Sequence, residues 1–247
     1  MARLALVPFL TLLGVHSSGA PLAVWSAGAV EEGLLRLTAR YEREAGQDVS
    51  TEFGTGPELE QRLASEAAAD VLIAPAAVVA RAVKAGRVEG GTETPIGRVG
   101  VGVVVRRGVA RPNVADVKSL KAALLDAESV VYNQASTGQY LESLFARLGI
   151  VEELKAKTTR YGNAAQVLEH VLAGKRREIG FGPITEIKSF EPKGVVLVGP
   201  LPADVQNYTT YVAAILKPVA DRGAAQAFIR YLTTPAARQA LAATGVQ

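Results

Sequence analysis

The sequence contains no cysteine, which excludes disulfides, thiol nucleophiles and cysteine metal sites together. Histidine is almost as scarce. Of the two present, His16 lies in an N-terminal stretch that reads as a leader, so His170 alone is left for a Ser–His–Asp arrangement. No Gly-x-Ser-x-Gly elbow accompanies it, and no His/Cys cluster has the spacing of a zinc site. Gly54-x-Gly56 lacks the third glycine of a dinucleotide fingerprint. Gly174-Lys175 lacks the upstream glycine and the following Ser or Thr of a phosphate loop. Ordinary hydrolase, metalloenzyme and nucleotide-cofactor chemistry is therefore set aside, no catalytic residue is assigned, and no cofactor or metal is expected.

Long apolar runs are missing too. The run at residues 4–15 is too short for a bilayer, which needs about 20 residues, and no later run reaches that length. With Arg3 before it and Ser18-Gly19-Ala20 after it, it predicts a secretory leader over 1–20 and a periplasmic mature chain; an uncleaved N-terminal anchor is the alternative. Removing the leader takes Arg3 from the 27 basic residues and leaves 26 against 24 acidic ones. That is near balance. Arg106-Arg107 and Lys175-Arg176-Arg177 are short and sit beside turns, so there is no stripe for nucleic acid.

What the chain does have is a hydrophobic content of 49%, enough for one large core or two modest ones. Three strand–turn–helix units come first: strand 22–26 and helix 30–45, strand 48–53 and helix 56–67, strand 70–74 and helix 76–85. Val30, Leu34, Leu37 and Tyr41 mark the inward face of the first helix. Such repetition implies parallel strands with right-handed crossovers, which gathers the turns at one sheet edge, where open α/β sheets bind ligands. A long β run follows at 98–105, then a short helix at 117–124.

The stretch at 130–148 repeats the pattern most clearly. Val130-Val131-Tyr132 stops at Asn133, Gln134, Ser136, Thr137 and Gly138, after which Leu141, Leu144, Phe145 and Leu148 recur with helical spacing. The helix N–H groups then point back at the hydroxyls, which suits an anion, although a simple N-cap gives the same residues. Further helices are expected at 151–157 and 164–173, strands at 179–182 and 194–198, a second long β run at 208–216, and closing helices at 219–232 and 235–243. The two long β runs bracket a central block. They predict one lobe from 21–97 plus 207–247 and a second from 98–206, with turns at Ser26, Thr55, Thr137 and Thr185 facing each other across a cleft.

The motifs LAVWSAGAVEEGLLRLTARYEREAG, VSTEFGTGPELEQRL, AADVLIAPAAVVARAVKAGRV, GRVGVGVVV, STGQYLESLFARLGI, GNAAQVLEHVLAGKRREIGFG, GVVLVGPLP and AAQAFIRYLTTPAARQALAATG occur in this order. Together they resemble the periplasmic molybdate-binding protein family of ABC importers, among the type II solute-binding proteins. The resemblance covers nearly all of the chain after residue 20. It implies a two-lobed α/β fold with parallel-rich sheets, flanking helices and a cleft for a small oxyanion or organic acid anion. It also implies a monomer delivering that ligand to a membrane ABC permease.

At the family's ligand-binding positions the chain has Ala29, with Ser26 and Gly28 nearby, then Gly56 beside Thr55, Thr137 beside Ser136, Ala165, and Pro183. The side-chain hydroxyls typical of the family are missing at Ala29, Gly56 and Pro183, and Pro183 has no N–H to replace one. Arg98 begins the first long β run, either reaching the cleft to pair with an oxyanion or lying at the surface. A few relatives of the family are aconitate isomerases, and a tricarboxylate would suit a cleft without those hydroxyls and with Arg98 nearby. Such an isomerase needs a base, for which Glu58, Tyr140 and His170 are the candidates and none is singled out. For each there is also a structural reading: a helix-dipole carboxylate for Glu58, core or cap for Tyr140 and its neighbour Asn133, a solvated ring for His170.

Overall fold

The computed structural model describes residues 20–65, 67–174 and 177–247, so the leader expected at 1–20 falls, apart from Ala20, outside the described residues. The chain opens with β1 (Leu22–Ala27), a single 3-10 turn at Gly28–Val30 and α1 (Glu31–Ala45). Then come β2 (Val49–Gly54), α2 (Gly56–Ala64), β3 (Val71–Pro75) and α3 (Ala76–Lys84). Leu34, Leu37 and Tyr41 are buried along α1, as their spacing requires, and Gly46 closes that helix in the left-handed conformation at φ 66°. β2 and β3 flank β1, both parallel to it.

After β4 (Thr94–Arg106) the central block runs α4 (Val117–Asp126), β5 (Ser129–Asn133), α5 (Ser136–Leu148), α6 (Val151–Lys155), β6 (Thr158–Tyr161), α7 (Ala164–Ala173), β7 (Glu178–Pro183), α8 (Ile184–Phe190) and β8 (Val195–Pro200). The chain returns through β9 (Tyr208–Ile215) and finishes with α9 (Arg222–Leu232) and α10 (Pro235–Thr244).

One strand ties the halves together. The first part of β4 pairs antiparallel with β9. Its second part, from Val101 onward, pairs with β7 and β8. Among the described residues nine strands therefore run β2-β1-β3-β9-β4-β7-β5-β6, with β8 also on β4. Buried apolar side chains follow the same division. One cluster draws on residues 22–99 and 211–246, including Leu72, Ile73 and Phe228. The others draw only on 101–201, including Phe181, Leu141 and Leu120. Each of these fully buried side chains contributes roughly 1.5–3 kcal/mol. Where the two sides meet, the buried Thr185 hydroxyl donates to the Ala29 carbonyl at 2.6 Å.

β6 and α8 go beyond what the sequence pattern predicts. β6 is the polar segment Thr158-Thr159-Arg160-Tyr161, recruited by pairing in register with β5 rather than by apolar alternation. α8 is too short, at seven residues, to display a helical repeat. α9 starts at Arg222 instead of 219 because the Asp221 carboxylate caps it, accepting from Ala224 N–H at 2.9 Å. α2 stops at Ala64, short of 67.

Candidate functional site

The strand-end turns from both sides of the molecule open on one cavity of about 370 Å³. α2 contributes Thr55 and Gly56. Here the Thr55 side chain caps α2 by accepting from Glu58 N–H, while the Thr55 N–H donates to Glu58 Oε2 at 2.6 Å, a reciprocal capping box. Gly56, just inside, keeps an N–H with no partner in its own helix.

α5 contributes Ser136 and Thr137. Asn133, buried at the end of β5, accepts from Ala135 N–H at 3.1 Å and Gly138 N–H at 3.3 Å through Oδ1. The N–H groups of Ser136 and Thr137 between them are left for the cavity. This close fold-back requires Gly138, because a Cβ there would lie 1.6 Å from the Asn133 carbonyl oxygen. α7 contributes Ala164 and Ala165. Its cap Asn163 accepts from Gln166 N–H at 3.0 Å. Three helix N-termini thus face one space, each with backbone donors to spare.

The charged groups around the cavity are more mixed than its donors. Arg62, one helical turn after Glu58 on α2, donates to the Phe53 carbonyl at 3.0 Å through Nη2. Its Nη1 lies 3.7 Å from Glu52 and is buried without a hydrogen-bond acceptor among the described residues. Opposite, Glu186 of α8 and Glu31 of α1 bring two carboxyls to the wall. Burial, and then the Glu31 charge, push the Glu186 carboxyl up to about 7. Burial also raises Glu31. Tyr211 of β9, at the cavity floor, is held well above the usual phenol range by burial and by Glu186, so its hydroxyl stays protonated.

Of the residues predicted from sequence, Gly28, Ala29, Thr55, Gly56, Ser136, Thr137, Ala165 and Pro183 line this cavity together. Ser26 and Arg98 do not. Ser26 is fully buried in β1, its hydroxyl directed to the Ala27 carbonyl at 3.3 Å. Arg98 is turned away because its neighbour Val99 faces the core and strand side chains alternate. Its guanidinium instead stacks on Tyr208 at 4.3 Å, and its backbone pairs with Gln247.

Among the candidate bases, Glu58 lines the cavity but spends its carboxylate on the cap of α2. The Tyr140 hydroxyl donates to the Val205 carbonyl at 2.6 Å, and His170 Nδ1 shares a hydrogen bond with the Tyr161 hydroxyl at 2.9 Å; neither ring lines the cavity. Arg62, Glu186 and Tyr211 were not singled out by sequence. The i, i+4 spacing of Arg62 from Glu58 was a usable signal. For Glu186 there was none, since its helix is too short to read.

Two α/β lobes joined through β4, with a cleft between them, define the two-lobed fold of periplasmic solute-binding proteins. The chain belongs to the bacterial extracellular solute-binding protein family, which it matches over residues 22–247. The periplasmic molybdate-binding protein of Azotobacter vinelandii shares the fold at a TM-score of 0.75 and 18% identity, over 92% of this chain and 98% of that one. The sulfate-binding protein SubI of Mycobacterium tuberculosis does so at 0.74 and 19%, over 92% and 86%. In sequence, an aconitate isomerase of a Pseudomonas species is 26% identical over 232 residues, covering 92% of this chain and 87% of that protein.

Proposed function

We propose that this chain is the periplasmic binding component of an ABC importer, holding a small oxyanion or organic acid anion between its lobes and passing it to a membrane permease. The observation that carries this is the convergence of the N-termini of α2, α5 and α7, with Arg62, on a single cavity. Charge-assisted N–H contacts contribute roughly 1.5–3 kcal/mol each, so a few of them offset an anion's lost hydration. The ligand would be held by backbone donors at Gly56, Ser136, Thr137 and Ala165, with Gly28, Ala29 and Pro183 shaping the wall. Lobes divided at 97/98 and 206/207 would close by bending where the chain crosses between them, within β4 and in the segment just before β9. Thermal shift against molybdate, tungstate, sulfate, phosphate and a panel of di- and tricarboxylates tests this: a bound anion raises the melting temperature, and a flat response to all of them refutes it.

A second function, isomerisation of a tricarboxylate such as aconitate, is favoured by one observation. Glu186 puts into the cleft a carboxyl that titrates at about 7, able to take and return a proton at neutral pH. The similarity to an aconitate isomerase points the same way. Incubating the protein with cis- and trans-aconitate decides it, since absence of interconversion leaves binding alone.

A further inference from the structure

Glu186 is an odd group to find in an anion receptor. It lines the cleft cavity and also an adjoining one of about 340 Å³, and a Cβ built on Gly28 would lie 4.0 Å from its Oε1. Its carboxyl makes no hydrogen bond or ion pair with any described residue. Glu31 of α1 and Tyr211 of β9 are the titratable groups that interact with it electrostatically. Farther round the walls stand Arg62 and Glu58 of α2 in one cavity, and Glu32 and Lys193 in the other. The backbone N–H groups of the cleft can serve any anion alike. This carboxyl cannot.

We propose that Glu186 makes the cleft selective for anions that bring a hydrogen donor of their own, such as a hydroxy acid or hydrogen phosphate, and sets it against acceptor-only dianions of similar shape, such as sulfate and molybdate. The inference rests on the cleft being an anion receptor. An ionised carboxylate offers only acceptors, and so does sulfate, so the two meet with no hydrogen bond and with like charges opposed. A ligand O–H turns the same meeting into a charge-assisted hydrogen bond. An acceptor-only dianion can enter only when Glu186 carries a proton and donates it to the ligand. Because burial and Glu31 hold its titration at about 7, that state is available below neutrality and lost above it. Uptake of one proton then weakens binding about tenfold for each pH step above the midpoint.

The test pairs ligands that differ in little but the donor: malate with succinate, and phosphate with sulfate, each titrated into the full-length protein by calorimetry between about pH 6 and pH 9. Malate and phosphate should win within their pairs above pH 7.5, and sulfate affinity should fall about tenfold per pH step where malate affinity does not. In Glu186→Gln the amide supplies a permanent donor, so sulfate should bind with no such slope and the preference for malate over succinate should shrink. Glu31→Gln removes the neighbouring charge and should move the wild-type sulfate profile to lower pH, a readout that survives if Glu186→Gln fails to fold. Equal binding within both pairs, a sulfate slope that persists in Glu186→Gln, or a sulfate profile that does not move in Glu31→Gln overturns the selector role while leaving the anion receptor intact. If none of the four anions binds at any pH, the receptor itself is wrong.

Discussion

Replacing Glu186 by Gln should make the ligand-free protein more stable at pH 8 and no different at pH 4. The wild-type carboxyl titrates near 7 in the folded chain against an ordinary value of 4.5. Between those two values the native state binds a proton that the unfolded chain has already released, so native stability falls as pH rises, by about 1.4 kcal/mol per pH step. Below 4.5 both states hold the proton and nothing is lost; above 7 neither does, and the full penalty, on the order of 3 kcal/mol, is present. Glutamine keeps the shape and never ionises, so its curve lacks this decline. For a chain of this size 1 kcal/mol corresponds to about 2–4 °C in melting temperature, giving a gap of roughly 6–12 °C at pH 8. Urea unfolding and thermal melts of both proteins from about pH 4 to pH 9 measure it. Parallel curves, or a variant less stable at pH 8, would refute the claim that the cleft withholds solvation from this carboxyl.

Gly138→Ala should cost more than about 3 kcal/mol, since its Cβ would press into the Asn133 carbonyl at 1.6 Å and displace the first turn of α5; a melt within about 1 kcal/mol of wild type contradicts this. Thr185→Val removes the donor to the buried Ala29 carbonyl, so a loss of about 1–2 kcal/mol in chemical denaturation is expected, together with a larger radius of gyration by X-ray scattering. Arg62→Met should weaken anion binding about tenfold in a thermal-shift titration, because Nη1 is a buried guanidinium donor at the cavity without a hydrogen-bond acceptor among the described residues. Unchanged affinity would remove Arg62 from the site.

The strand-turn-helix rhythm was readable because its elements are amphipathic or fully apolar and end in turn residues that act as caps. Thr55, Asn133 and Pro183 stand where such residues belong. The meeting of Gly28 and Thr55 with Ser136 and Thr137 follows from that rhythm, since parallel strands gather their ends, whereas Ala165 and Pro183 are marked only by the family resemblance. Sequence alone does not choose between cleft and surface for Arg98, for a reason internal to β strands: a run such as Val99-Gly100-Val101 announces a strand without saying which face looks into the cleft. Glu186 was invisible for another reason. Its perturbation comes first from burial and then from Glu31 of α1, which is far away in sequence, and no local pattern carries that information.

The late place of β9 in the chain also bears on assembly. β3 finds β1 early, but its other edge has no neighbour until β9 arrives, when Val71 at last meets Ile215. The chain from Val101 to Leu201, by contrast, holds its own partners and can close on itself first. As the polypeptide emerges, the apolar edge Val71-Leu72-Ile73-Ala74 therefore stays bare until nearly the last stretch has been made. That interval is when mispairing with a second nascent chain is most dangerous, and when a holding chaperone would have most to do.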